Sequence, residues 1–308
     1  MEVEHEHRRV PRPGEDPVDG FVRKQQWLDS FADPIQKAIG WCYGVLGRPG
    51  VLLKDLAHGT KPLGHPLHPA LTDVPLGAWT VMVVADLLAL YTRAVPSVAG
   101  DIALAVGIAG ALGAAVAGYT DFHETFGMER RAAMLHGLLM TFVLAVMVVS
   151  LLMRVAAPST RTAAVVIAAV GWLLSLVGGY LGGHLSFRYG TMVNRNAFRE
   201  FPEDFVKVGV SSDFAEGRLT RVEVDGSPVL VVRRRGDLHA ISAVCSHAGG
   251  PLDEGSLEDD TVTCPWHGSR FCVLDGRVER GPATFRQPAF EVREHGGKVE
   301  LRLAVPAH

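Results

Sequence analysis

Four long apolar runs divide the chain: Leu71 to Tyr91, Asp101 to Thr120, Met134 to Met153 and Ala163 to Leu185. Each is close to the roughly 20 residues an α-helix needs to cross the hydrocarbon layer of a bilayer. The breaks around Pro96, Gly127 and Pro158 carry Arg or turn formers, as helix ends at a membrane surface do. The pattern predicts a four-helix transmembrane bundle over 61–195. Ahead of it, Trp27, Leu28, Phe31, Ile35, Ile39, Cys42, Val45 and Leu46 recur at helical spacing, which predicts amphipathic helices over 21–60. A break is expected at Asp33-Pro34, with Asp33 capping a second helix that runs along the membrane surface or against the soluble domain. Residues 1–20 mix Glu, Asp, His, Arg and Pro without an apolar core, so a disordered tail is expected, neither a secretory signal nor a transit peptide.

Beyond a linker at 196–204 the period shortens to two. Arg221 to Val224, Val229 to Arg233, Leu238 to Val244, Thr261 to Thr263, Arg277 to Glu279, Phe290 to Glu294 and Lys298 to Leu303 read as strands. Asp225-Gly226, Arg235-Gly236, Asp275-Gly276 and Gly296-Gly297 read as hairpin turns between them. The expected fold class is therefore mixed, a four-helix transmembrane bundle followed by an all-β domain at 205–308.

Net charge is -3, and no basic face exceeds what a membrane-flanking loop carries, so no nucleic-acid partner is expected. The cations near the spans are unevenly divided. Lys54, Lys61, Arg130, Arg131, Arg188, Arg195 and Arg199 fall on one side and Arg93, Arg154 and Arg161 on the other, which predicts a multi-pass cell-membrane protein with both termini and the β domain in the cytoplasm. Of four cysteines, Cys245, Cys264 and Cys272 lie in the β domain and Cys42 far from them. No paired disulfide framework is visible, and Cys42 and Cys272 are expected to be buried structural thiols.

The chemistry is concentrated in Cys245-Ser246-His247, followed after 16 intervening residues by Cys264-Pro265-Trp266-His267. Two loops each offer one thiolate and one imidazole. Two Cys on one iron and two His on the other is the ligand set of a Rieske 2Fe-2S centre, where neutral imidazole in place of thiolate raises the reduction potential. Zinc on the same four residues is the alternative, although zinc sites usually pair cysteines as C-x2-C.

Over Phe205 to Leu303 the chain resembles the Rieske ferredoxin family. Gly249, Gly250 and Pro251 follow the first ligand loop, Gly268-Ser269 follows the second, and Gly281-Pro282-Ala283 matches the proline loop that closes over the cluster in that family. The resemblance implies metal ligands at Cys245, His247, Cys264 and His267. In the family's quinol-oxidising branch each ligand loop has a further Cys and the two form a disulfide; Gly250 and Trp266 stand there here. That branch also has a Tyr that donates to a ligand sulfur where this chain has Phe271. Fewer donors to sulfur imply a potential in the lower part of the roughly -150 to +300 mV Rieske range. Ser269 is a candidate donor or a simple turn former. Rieske oxygenases carry a large further domain with a 2-His-1-carboxylate iron site; the sequence ends at His308 without one, so a complete oxygenase is not expected.

Ionisable residues inside spans are functional candidates. His65 and His68 enter the first span, His136 lies one turn into the third and His184 ends the fourth. At 1.5 Å per residue, His136 is roughly 7 Å beyond Arg131 and His184 roughly 6 Å short of Arg188, so they share a depth near the cytoplasmic interface, bordered by Asp73 and Asp121. His68, His136 and His184 are candidate ligands for haem b or another metal. Gly178, Gly179, Gly182 and Gly183 would leave room for a macrocycle or simply let helices approach, as Gly110, Ala114 and Gly118 do. Asp86 is expected to point into the bundle. Residues 60–195, through His65-Pro66-Leu67-His68-Pro69 and Gly183-His184-Leu185-Ser186-Phe187-Arg188-Tyr189-Gly190, resemble an uncharacterised family of four-span bacterial membrane proteins, which implies the bundle and no activity.

The expected function is membrane-anchored electron transfer through a cytoplasmic 2Fe-2S cluster, as an oxidoreductase or electron-transfer component, with the cluster exchanging electrons with a redox group or quinone at the bundle. The alternatives are a tethered ferredoxin that serves a separate reductase or oxidase, and a redox-sensing membrane protein. Expected partners are the lipid bilayer and a redox protein or quinone.

Overall fold

A computed structural model describes residues 16–92 and 95–304. Residues 1–15 of the expected tail, Arg93 and His308 lie outside the described residues. Three helices precede the bundle: α1 (Pro17–Arg23), α2 (Asp29–Val45) and α3 (Arg48–His58). The bundle is α4 (Leu67–Tyr91), α5 (Val98–Phe122), α6 (Gly127–Ala156) and α7 (Arg161–His184), each long and apolar enough to cross a membrane. Each helix extends a few residues past its apolar run, because flanking polar residues continue the backbone ladder into the interface.

Trp79, Met82, Leu104, Val143 and Met147 fill the bundle interior. At the far end Arg154 is buried, donating to Asp86 (2.6 and 3.0 Å) and Asp101 (3.0 Å), while Arg161 also pairs with Asp101 (2.9 Å). One network therefore ties all four helices, and Asp86 points inward as its sequence setting suggests. A lone buried charge would be prohibitive; here each charge has partners.

At the other end the structure departs from the sequence reading in three places. The end of the expected tail is helical: α1 begins at Pro17, where Asp16 caps it through bonds from the Val18 and Asp19 amides, and continues to Arg23 with Val22 buried against Ala132 and Leu185. The chain does not break at Asp33-Pro34, for α2 runs through Pro34. Leu28 and Ala32 pack on Phe122 and Met134, and Asp29 and Asp33 pair with Arg130 and Arg131, so tertiary contacts outweigh the one ladder bond that proline removes. Cys42 is exposed on this helix. Trp27, Phe31, Trp41 and Val45 also face outward, leaving α2 apolar on two sides at the level of the span ends.

The β domain has two antiparallel sheets. Strands β1 (Val206–Val210), β2 (Thr220–Val224), β3 (Ser227–Arg234), β4 (Asp237–Ser242), β9 (Ala289–His295) and β10 (Lys298–Leu303) form one, in the order β1-β10-β9-β4-β3-β2. β5 (Ser256–Glu258), β6 (Thr261–Thr263), β7 (Arg270–Cys272) and β8 (Val278–Arg280) form the other in sequence order. Leu230, Ile241, Leu252, Val262 and Phe271 pack between them, with Cys245 and Cys264 at the edge of the same core. Cys272 is buried as a free thiol. The expected linker at 196–204 is not a free tether. Asn196 is buried, donating to the Val244 carbonyl (2.9 Å) and accepting from Ser242 (2.8 Å), and the Arg195 amide donates to the Ser246 carbonyl (3.1 Å).

Candidate functional site

Cys245 and His247 follow β4, and Cys264 to His267 form the β6–β7 connection. The two loops are backbone copies of each other. In the first, the Cys245 amide donates to the Gly250 carbonyl (2.9 Å) and the Gly249 amide to the Cys245 carbonyl (2.9 Å). In the second, the Cys264 amide donates to Ser269 (2.8 Å) and the Gly268 amide to Cys264 (3.1 Å). Each loop needs a left-handed residue to close, supplied by Gly249 (φ +87°) and Gly268 (φ +72°). The loops face each other: the thiols of Cys245 and Cys264 are in hydrogen-bonding reach, and the His247 and His267 rings lie 5.0 Å apart at 87°.

This donor set fits a Rieske cluster. The His247 Nδ1 atom is buried without a hydrogen-bond partner, as a nitrogen reserved for iron would be. Burial, with His267 alongside, holds the His247 imidazole down to about 3, and burial also lowers His267, so both stay neutral as ligands must. Contact with Cys245 brings the Cys264 thiol down to about 6 despite burial, with the amides of Trp266 and His267 helping, and the same contact raises Cys245. A Cβ at Gly250 would stand 2.8 Å from the Cys264 sulfur and 3.0 Å from Trp266, so side chains at both positions could not coexist with the present packing. Ser269 is buried and its Oγ accepts from the Ala283 amide (3.0 Å), which leaves its hydroxyl proton free to point elsewhere.

The imidazole edge is turned toward the membrane domain. His267 stacks on Phe126, from the α5–α6 connection, with ring centres 5.5 Å apart and planes 21° from parallel. Around this contact Asp55 accepts from the Gly281 amide (3.0 Å), Thr60 donates to the Ala283 carbonyl (3.0 Å) and Lys61 to the Glu279 carbonyl (2.8 Å), so α3 and the turn after it grip the loop expected to cover the cluster. A cavity of about 20 Å³, room for roughly a single water, is lined by Asp121, Glu124, Phe126, Arg195 and His247 among others. Burial would raise the Glu124 carboxyl, but bonds from His123 and Lys54 hold it down at about 2. His58 is buried and donates through Nδ1 to Asp121 (2.8 Å), while among the described residues His58 Nε2 and Asp121 Oδ2 have no partner. Sequence reasoning missed Phe126, His58 and Asp55 as site residues.

Of the bundle histidines, the structure brings His68 and His136 together, with ring centres 6.0 Å apart at 83°. His68 Nδ1 is 2.8 Å from the Ala114 carbonyl and His136 Nδ1 is 2.9 Å from the Gly178 carbonyl. His184 is drawn away. Its Nε2 meets Asp19 of α1 (3.1 Å), which also accepts from Arg188 (2.9 Å) and Tyr189 (2.6 Å), so a carboxylate invisible to the span pattern takes the nitrogen that a metal would need. His65 bonds the adjacent Pro66 carbonyl (3.0 Å) in an exposed turn.

Two facing Cys-His loops at the edge of a β core, behind four membrane-spanning helices, define a Rieske-type membrane protein of the electron-transfer class. Residues 204–291 match the model of the Rieske [2Fe-2S] domain, and residues 64–195 match a predicted membrane protein domain, DUF2231. The chain belongs to the Rieske [2Fe-2S] family through its carboxyl-terminal domain. It is 39% identical over 97 residues to the ferredoxin component of biphenyl 2,3-dioxygenase from Rhodococcus jostii (strain RHA1), covering 32% of this chain and 91% of that protein. It is 34% identical over 108 residues to Apoptosis-inducing factor 3 of Homo sapiens, covering 34% of this chain but only 18% of that protein's length. Among solved structures, the ferredoxin of carbazole 1,9a-dioxygenase from Nocardioides aromaticivorans IC177 is 32% identical, with 32% of this chain and 96% of that one covered and a TM-score of 0.31.

Proposed function

We propose that Cys245, His247, Cys264 and His267 ligate the 2Fe-2S cluster, and that the cluster exchanges electrons with a redox group or quinone at the head of the helical bundle, both on the cytoplasmic side. The observation that carries this reading is the stacking of His267 on Phe126, which lays the face of this imidazole against the α5–α6 connection of the bundle. When bound, the cluster supplies one-electron chemistry. The residues around it do the rest. The thiols anchor it in the core, and the neutral imidazoles lie on the path outward. The grip of Asp55 and Thr60 on the covering loop holds the spacing fixed. Cation bias around the spans supports the cytoplasmic side.

The test is flash photoreduction of the protein in lipid nanodiscs, as purified and with added quinone, over a series of protein concentrations. A phase of cluster reoxidation whose rate does not depend on protein concentration is expected. Reoxidation only by collision between molecules, with and without quinone, would refute the reading. A tethered ferredoxin is the second reading, favoured by the likeness to a dioxygenase ferredoxin component; it requires the docked edge to open for a soluble partner.

A further inference from the structure

We propose that His68 and His136 are the two axial ligands of a haem iron held at the cytoplasmic head of the bundle. The proposal rests on the reading that the bundle is the cluster's redox partner, and it names the group. α4 packs against α5 and α7, and α6 packs against the same two helices, so α4 and α6 occupy opposite corners. Residues on diagonal helices that meet near the axis enclose the centre of the bundle, where bundle cofactors are held.

Both imidazoles are tied in the manner of metal ligands. Each Nδ1 faces a main-chain carbonyl, His68 on α5 and His136 on α7. A carbonyl only accepts, so each Nδ1 carries the proton and each Nε2 keeps its lone pair. Among the described residues neither Nε2 has a hydrogen-bond partner. With the centres 6.0 Å apart, an iron midway, faced by both Nε2 atoms, would lie at about the 2 Å of a metal–imidazole bond. Each ring also rests on a glycine: a Cβ at Gly118 would stand 2.7 Å from His68 Cε1, and one at Gly182 would stand 3.2 Å from His136 Cε1. The rings are seated on backbone, which fixes their direction.

Two alternatives account for less. If the histidines only stapled helices, the Nδ1 bonds to Ala114 and Gly178 would suffice, and the approach of the two rings to 6.0 Å would go unused. A bare divalent cation would need further ligands and compensating charge. Asp86 and Asp101 are engaged by Arg154 at the far end, and one oxygen of Asp121 is bonded to His58. A porphyrin brings both missing components, with four equatorial nitrogens and two negative charges. In the exchange with the cluster, one electron leaves the reduced cluster and converts ferric to ferrous iron, with no bond made or broken.

The experiment is expression of the full chain with the haem precursor 5-aminolaevulinate supplied, followed by pyridine haemochrome assay and low-temperature paramagnetic resonance in nanodiscs. One haem per chain is expected beside the Rieske signal, with the strongly anisotropic low-spin ferric spectrum of axial imidazoles whose planes are 83° apart. His68→Ala and His136→Ala should each lose that spectrum, keep the Rieske signal and regain a low-spin spectrum with added imidazole; His184→Ala should keep its haem. A protein with a full Rieske signal and no haem overturns the proposal, as does low-spin haem that persists in both variants. These outcomes separate from the broader reading. Concentration-independent cluster reoxidation without haem would sink only the haem, and haem that never exchanges electrons with the cluster would sink only the electron path.

Discussion

Replacing Asp55 by Ala and Thr60 by Val should loosen the loop over the cluster without touching the cluster's ligands. Asp55 accepts from Gly281 as a buried carboxylate, and Thr60 donates to Ala283; both residues are under a tenth exposed. A hydrogen bond to a charged group is worth about 1.5–3 kcal/mol and a neutral one about 0.5–1.5. The pair therefore holds the loop by about 2–4.5 kcal/mol, if the terms add. At 1.4 kcal/mol per factor of ten, the open population should rise by roughly 30- to 1,600-fold. Amide hydrogen exchange across residues 279–286, followed by mass spectrometry, reads this population directly. Exchange should accelerate by that factor in the double variant and by less in each single variant, while the Rieske resonance keeps its intensity and intramolecular reoxidation slows. Wild-type protection of the Gly281 amide in the double variant would refute the docking argument.

Three further outcomes are expected. Iron and acid-labile sulfide should be present at two each per chain for the cluster, in addition to any haem iron, and Cys264→Ala should abolish both; stoichiometric zinc without iron in anaerobically prepared protein would count against the ligand assignment. Glu124, held at about 2 against the usual 4.5, contributes roughly 3 kcal/mol that is present above pH 4.5 and lost as pH falls toward 2. Thermal melts between pH 6 and 3 should therefore decline more steeply for the wild type than for Glu124→Gln, and parallel slopes would remove the claim. A carboxyl-terminal reporter should work only if it functions in the cytoplasm, and an active alkaline phosphatase fusion there would invert the topology.

The four spans and the metal motif were legible because their signals are local. Twenty apolar residues in a row state a span by themselves, and Cys-x-His with Cys-Pro-Trp-His states a ligand set within a few residues. Strands β1, β5 and β7 went unread; β1 pairs with β10 at the other end of the domain, so no adjacent hairpin turn marks it. Pro34 misled because its local preference was overridden by packing of Leu28 and Ala32. The docking surface was invisible for a different reason: Asp55 and Gly281 are 226 positions apart, and no pattern near either residue announces the other. His184 had the right depth and the wrong neighbour, since Asp19 lies in a stretch whose composition suggested a tail.

The far-end charge network bears on how the protein is made. Asp86, Asp101 and Arg154 enter the membrane on three different helices, and Arg154 follows Asp86 by 68 residues. An uncompensated charge costs up to about 2.5–3.5 kcal/mol at the middle of a span and less toward its end, so α4 enters as a provisional insertion, held by its apolar length alone. Its charge is compensated only when α6 brings the arginine, so the network completes only when all four spans are in place.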